Sequence, residues 1–375
     1  MDLDVNFTDE DWQRIERDWT AWWNGELERP LVLIEEQRPP NVPLPEGVTW
    51  DGFTPTMFPM EMPVDQVIDC YQVFLESRRY YGDAFPRWWP NFGPGVVAGF
   101  LGAHLNCVKD TVWFSPIEIG DIAGLRLDYD PGNRWWQRVL ELTRAAVSRW
   151  GERVCVAITD LGGNLDILAS LRTTQQLLLD LYDTPEEVRR LTGEITRLWL
   201  RYYDELYRIV CTAGRGTTPW APIWSPQRCY MLQSDFSYMI SPPMFERYVL
   251  PDLAACCEVL EHGFYHLDGK GEIPHLEMLL SLERLRGIQW IPGDGAPPPE
   301  EWLSLLKRIR DGGKLCQLFV SPEGAQTVVR ELGGRGFALY VQKEMGREEA
   351  EAFLKEISVS KCLCERSVRS NPNTG

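Results

Sequence analysis

The chain is poor in histidine, in positive charge and in long apolar runs, and each shortage narrows what it does. Lysine and arginine together number 38 against 55 aspartates and glutamates, a formal charge of −17. Nucleic acid, whose phosphates need a cationic surface, is excluded as a partner by that balance. A polyanionic substrate is disfavoured in the same way, unless a local basic pocket overrides the field. No apolar run reaches the roughly 18–20 residues that cross a bilayer, so no membrane partner is expected. The first residues, MDLDVNFTDEDW, lack the basic and apolar regions of a signal peptide, and a cytoplasmic location is the expectation. Ten cysteines stand without framework spacing and read as reduced, mostly buried thiols. Nucleotide fingerprints are missing too. DLGGNLD lacks the G-x-G-x-x-G spacing and no G-x-x-x-x-G-K-[ST] occurs, so neither NAD nor ATP is expected as a cofactor.

Tryptophan, by contrast, is abundant at 16 residues. Several sit in Pro/Gly-rich stretches, PRWWPNFGPG, TTPWAPIWSPQ and GIQWIPGDG, and loops carry binding sites more often than regular elements do. Trp89, Trp224 and Trp290 are therefore expected to wall a pocket for a sugar face, an aromatic ring or a methylated ammonium. Rings that merely cover the ends of a barrel would leave the same pattern.

Short apolar runs alternate with amphipathic segments along most of the chain. PLVLIEE, VCVAITD, FYHLD, LRGIQWIPG, KLCQLFV and GFALYVQ suit strands buried on both faces. Between them lie helical patterns with strong starts, such as the Pro185 and Ser241-Pro242 segments; Pro251 should bend or interrupt the second. At the N-terminus, Thr8 and Asp11 stand at capping-box spacing, and Trp12, Ile15, Trp19 and Trp22 follow on one helical face. The alternation indicates an α/β protein, a (β/α)8 TIM barrel in one domain over 1–360. Residues 1–63 form an N-terminal helical and loop extension whose polar, proline-rich part reads as a lid, and 361–375 reads as a disordered tail. An open doubly wound sheet is the alternative.

In a parallel barrel the functional groups gather at the C-terminal ends of strands. Asp160 closes VCVAITD. His266 and Asp268 end FYHLD and, two residues apart on a strand, share one face. That pair suits acid–base work or metal binding. Asp235, before the Ser241 helix, holds a similar position, although a loop Asp that caps backbone N–H groups would look the same. These four are the candidate catalytic residues, with His266 and Asp268 the metal ligands if a metal is held. Asn164, Gln289, Tyr340 and Lys343 are the polar residues expected to contact substrate. His104, His275 and the CLC motif at 362–364 carry weaker signals.

The block SPPMFERYVLPDLAACCEVLEHGFYHLDGKGEIPHLEMLLSL resembles the uroporphyrinogen decarboxylase-like superfamily, which includes corrinoid-linked methyltransferases. The likeness covers roughly 150–345 and is best over 235–295. It implies a (β/α)8 barrel with its site at the strand ends. The superfamily's methyltransferases hold zinc with a histidine, a cysteine two residues on and a cysteine after the last strand. His266 matches the first, but Asp268 replaces the second and Lys343 stands near the third. A thiol-activating zinc site is therefore not implied, whereas a harder site on His266, Asp268 and Asp160 or Asp235 is. The decarboxylase's arginine-bearing N-terminal motif is also missing. Three readings follow. The chain demethylates a small O- or N-methylated compound, with a corrinoid carried by a partner protein. Or it is a lyase with a metal-free His266–Asp268 dyad, or a non-catalytic ligand-binding barrel. A homodimer is the expected assembly.

Overall fold

The computed structural model describes residues 3–38, 55–108 and 111–369. Most of the stretch read as a lid, 39–54, lies outside the described residues, as do the thiols of Cys362 and Cys364. The closing helix, Arg347–Arg369, runs on past position 361, into the segment read as a tail.

Eleven strands are described: β1 (Leu31–Gln37), β2 (Arg78–Gly82), β3 (Arg87–Trp88), β4 (His104–Cys107), β5 (Val112–Ser115), β6 (Cys155–Val156), β7 (Cys229–Gln233), β8 (His262–Asp268), β9 (Leu285–Ile291), β10 (Leu315–Val320) and β11 (Phe337–Val341). The main hydrogen-bonded ladder runs β2-β1-β11-β10-β9-β8-β7. It is parallel except where β2 turns back on β1. β3 and β6 make a separate two-residue parallel pair, and β4 and β5 an antiparallel hairpin absent from the sequence reading. β1, β3 and β6 to β11 thus supply, in chain order, the eight strands expected of a barrel. Among the described residues the ladder does not close: side chains span the two gaps. At one, the Tyr230 hydroxyl donates to Thr159 O (3.0 Å) and accepts from Leu161 N (2.7 Å). At the other, Arg87 Nε lies 3.9 Å from Glu35 Oε1.

Inner and outer faces follow from the register. Gln233, His266, Gln289, Gln317 and Ala338 lie in one row across β7 to β11. Hydrogen bonds link the side chains of His266, Gln289 and Gln317, so this row faces the interior. Leu267 and Trp290, one residue on, face the helices, and Trp290 packs edge-on against Trp302 (5.1 Å between centroids).

The N-terminal helix, Asp9–Trp23, starts as its sequence requires. Thr8 Oγ1 accepts from Asp11 N while Asp11 accepts from Thr8 N, a capping box with Asp in place of Glu. Its apolar face buries Trp12, Ile15, Trp19, Trp22 and Trp23. The last two close the N-terminal end of the strands: Trp22 stacks on Phe264, and Trp23 lies 4.0 Å from the His262 ring at an interplanar angle of 7°. As expected, Pro251 interrupts its helix, which divides at Val249 into Pro242–Tyr248 and Leu250–Val259.

Candidate active site

At the C-terminal ends of the strands, donor atoms of Asp235, His266 and Asp268 all lie within 4.8 Å of one another. β8 supplies two of them because residues 266 and 268 share its inner face. Gly269, at φ +81°, then turns the chain away in a conformation that L side chains rarely adopt. Asp235 opens the short 3-10 turn Asp235–Met239 after β7. That turn is pinned by Asp166, whose two oxygens accept from Asp235 N (3.1 Å) and Phe236 N (2.8 Å).

Beneath the cluster runs a chain of amides. His266 Nδ1 is hydrogen-bonded to Gln289 Oε1, and Gln289 Nε2 donates to Gln317 Oε1. Facing a carbonyl oxygen, Nδ1 carries the proton, and Nε2 is left with the lone pair that binds a metal or takes a proton. Gln289 fixes the tautomer, not Asp268, so the His266–Asp268 dyad expected of a lyase lacks its orienting hydrogen bond. Trp220 meets the His266 ring edge to face at 5.2 Å.

The surroundings are strongly acidic. Burial, reinforced by Asp235, raises Asp160 to about 7 and Asp166 to about 8. Burial also raises Asp235, while nearby His266 opposes the shift and Asp268 adds to it. Glu272 is pushed well above the ordinary carboxyl range by burial, with the Tyr265 hydroxyl bond (2.9 Å) working against it. Beside the cluster opens a cleft of about 420 Å³, walled by the loop after β3, by β5 and by the segments after β6 and β7.

The structure distributes the other candidates widely. Asp160 is buried, and its Oδ1 accepts from Gly162 N (2.9 Å) and Gly95 N (3.3 Å), tying the loops after β3 and β6 together. Asn164 donates to Tyr248 O (2.9 Å) and is enclosed under that helix. Trp89 packs on Trp220, the ring centroids 6.3 Å apart, and Trp220 in turn meets His266. Tyr340 packs on Phe319 and lines a separate hollow with Glu35 and Arg78. Three of the candidates lie away from the cluster. Trp224 is at the opposite end of the strands, its carbonyl accepting from Trp23 Nε1 (2.8 Å). Trp290 belongs to the outer face. Lys343 is exposed and paired with Glu349 (2.6 Å). His104 is exposed on β4, and His275 is buried, stacked on Phe245 and bonded to Ser237 O.

Asp166, Trp220, Gln317 and Glu272 were missed. Gln317 had a signal, a lone amide inside the apolar run KLCQLFV; Asp166 had only its place in the first turn after VCVAITDLGG.

No family model matches the chain, and no curated protein sequence does. Among solved structures, a methyltransferase from Methanosarcina mazei aligns with a TM-score of 0.51 at 11% identity, over 73% of this chain and 80% of that one. A B12-independent methionine synthase from Shewanella sp. W3-18-1, in complex with selenomethionine, gives 0.36 at 11% identity over 72% and 76%, too weak to support any argument. The first likeness is one of fold: a mixed α/β protein with a parallel central sheet of TIM-barrel type.

Proposed function

We propose that the chain is a metal-dependent enzyme of methyl transfer that acts on a small organic substrate at Asp235, His266 and Asp268. The observation that carries this reading is the convergence of one imidazole and two carboxylates within 4.8 Å, with the imidazole held from behind by Gln289. The fold likeness to a methyltransferase agrees with it. One nitrogen and two oxygens suit a divalent cation of borderline hardness, zinc among them, and leave coordination positions for substrate. No thiolate belongs to the set, so a zinc–thiolate chemistry does not fit these residues.

Bound there, the ion supplies Lewis-acid polarisation of a substrate oxygen or nitrogen. The protein does the rest. Gln317 orients Gln289, which keeps the His266 proton on Nδ1. Asp166 holds the Asp235 turn in place from the wall of the cleft. The methyl source is an O- or N-methylated compound, and a corrinoid borne by a partner protein is the acceptor.

Metal analysis of the purified chain tests the reading. We expect about one divalent ion per chain, lost in His266→Ala and weakened roughly 10–100-fold in Asp268→Asn. A chain that takes up no divalent ion in titration, while demethylating a substrate, overturns it.

A further inference from the structure

We infer that the cleft beside His266 is a binding site for a small organic ammonium ion. The inference names the substrate class of the site proposed above and rests on that reading for where the reaction occurs, but the cation itself is read from the walls of the cleft.

Three independent features agree. The first is charge. Asp166 and Asp235 both line the cleft, and among its described lining residues there is no lysine, arginine or histidine. The second is an orphaned acceptor. Gln233, only 6% exposed, lines the same cleft, and its Oε1 is buried without a hydrogen-bond partner. A buried acceptor left open costs free energy until a donor reaches it, so this part of the wall favours an N–H or O–H over another anion. The third is the aromatic rim. Trp113, Phe114 and Phe236 line the cleft, and ring faces attract ammonium cations.

A second metal ion does not explain these features. Among the described residues the only convergent set of three ligand atoms is Asp235, His266 and Asp268, and Asp166 is not part of it. Both Asp166 oxygens already accept backbone N–H groups, so its carboxyl is not a free ligand, and a cation beside it favours its ionised form. The volume, about 420 Å³, is that of a small-molecule site.

The test compares tert-butylammonium with tert-butyl alcohol, which has nearly the same shape and no charge. Binding to the full chain is measured by calorimetry, once with zinc added and once after treatment with EDTA. We expect the ammonium ion to bind about tenfold or more tightly than the alcohol. Asp166→Asn and Trp113→Ala should each reduce that preference; Trp113 is 65% exposed, so its loss leaves the fold intact. Lys343→Ala, outside the cleft, should not change it. Selective binding in either metal state supports the inference. Equal binding of the two probes, no binding of either, or a preference unchanged in Trp113→Ala overturns it. Zinc held at His266 in a chain that does not distinguish the probes overturns this inference alone, and leaves the metal reading standing.

Discussion

The residue that decides how His266 works is Gln289. It is fully buried, accepts from Nδ1 and donates to Gln317. Gln289→Leu removes the acceptor and strands a buried N–H, so we expect divalent affinity to fall by roughly 10–100-fold. Gln289→Glu, which keeps an acceptor at that place, should restore most of it; metal titration of the two variants is the check. The pair His266 and Asp268 was legible in the sequence because spacing of two on a strand forces one face. Strand parity also shows where the reading failed: Gln289 and Trp290 are neighbours on β9 and cannot both face the interior. Asp166 and Trp220 were invisible for a different reason. Each acts across a gap between segments far apart in the chain, and local pattern carries no information about that.

At the scale of elements, the N-terminal helix closes the far end of the strands. Trp23 stacks on His262 and donates to Trp224 O, while Arg286 Nη2 donates to Trp23 O (2.6 Å). Trp23→Ala should cost about 3–5 kcal/mol, read as a shift of the denaturant midpoint, with the Asp235–His266–Asp268 ligand set intact at the other end. The helix itself was legible from Thr8, Asp11 and the tryptophan stripe. The alternation of strands and helices was legible too, since parallel strands buried on both faces read as unbroken apolar runs. Strand length was not. VCVAITD looks like seven residues of strand, but only Cys155–Val156 joins a ladder. Beyond that pair, Tyr230 takes over the pairing with its side chain. The β4–β5 hairpin escaped because its residues, half exposed, carry no run of either period.

For the whole molecule, the buried carboxyls set how stability depends on pH. Asp252, buried and bonded by the Thr196 hydroxyl, is raised from 3.8 to about 6 by burial, as Asp160 and Asp166 are raised to about 7 and 8. An acid whose folded value is raised stabilises the fold fully below its unfolded value, and that contribution is lost as pH rises through the folded one. The metal-free protein should therefore lose stability between about pH 4 and 8 on account of these groups. Asp252→Asn, which keeps an acceptor for Thr196, removes one share of the loss. Its Tm should match the parent's near pH 4 and exceed it at pH 8, with a gain of up to roughly 3 kcal/mol. Thermal melts across that range decide it.

The cleft stands over β3, β6 and β7, where the ladder of the wall is interrupted and two-residue strands are linked to their neighbours by Tyr230, Asp160 and the Arg87–Glu35 pair. Elsewhere, parting two strands would break a continuous row of backbone bonds. Here fewer backbone bonds join the neighbours, and side chains carry part of the linkage. The wall is therefore least stiff under the cleft and stiffest along β8 to β11, which aim the histidine.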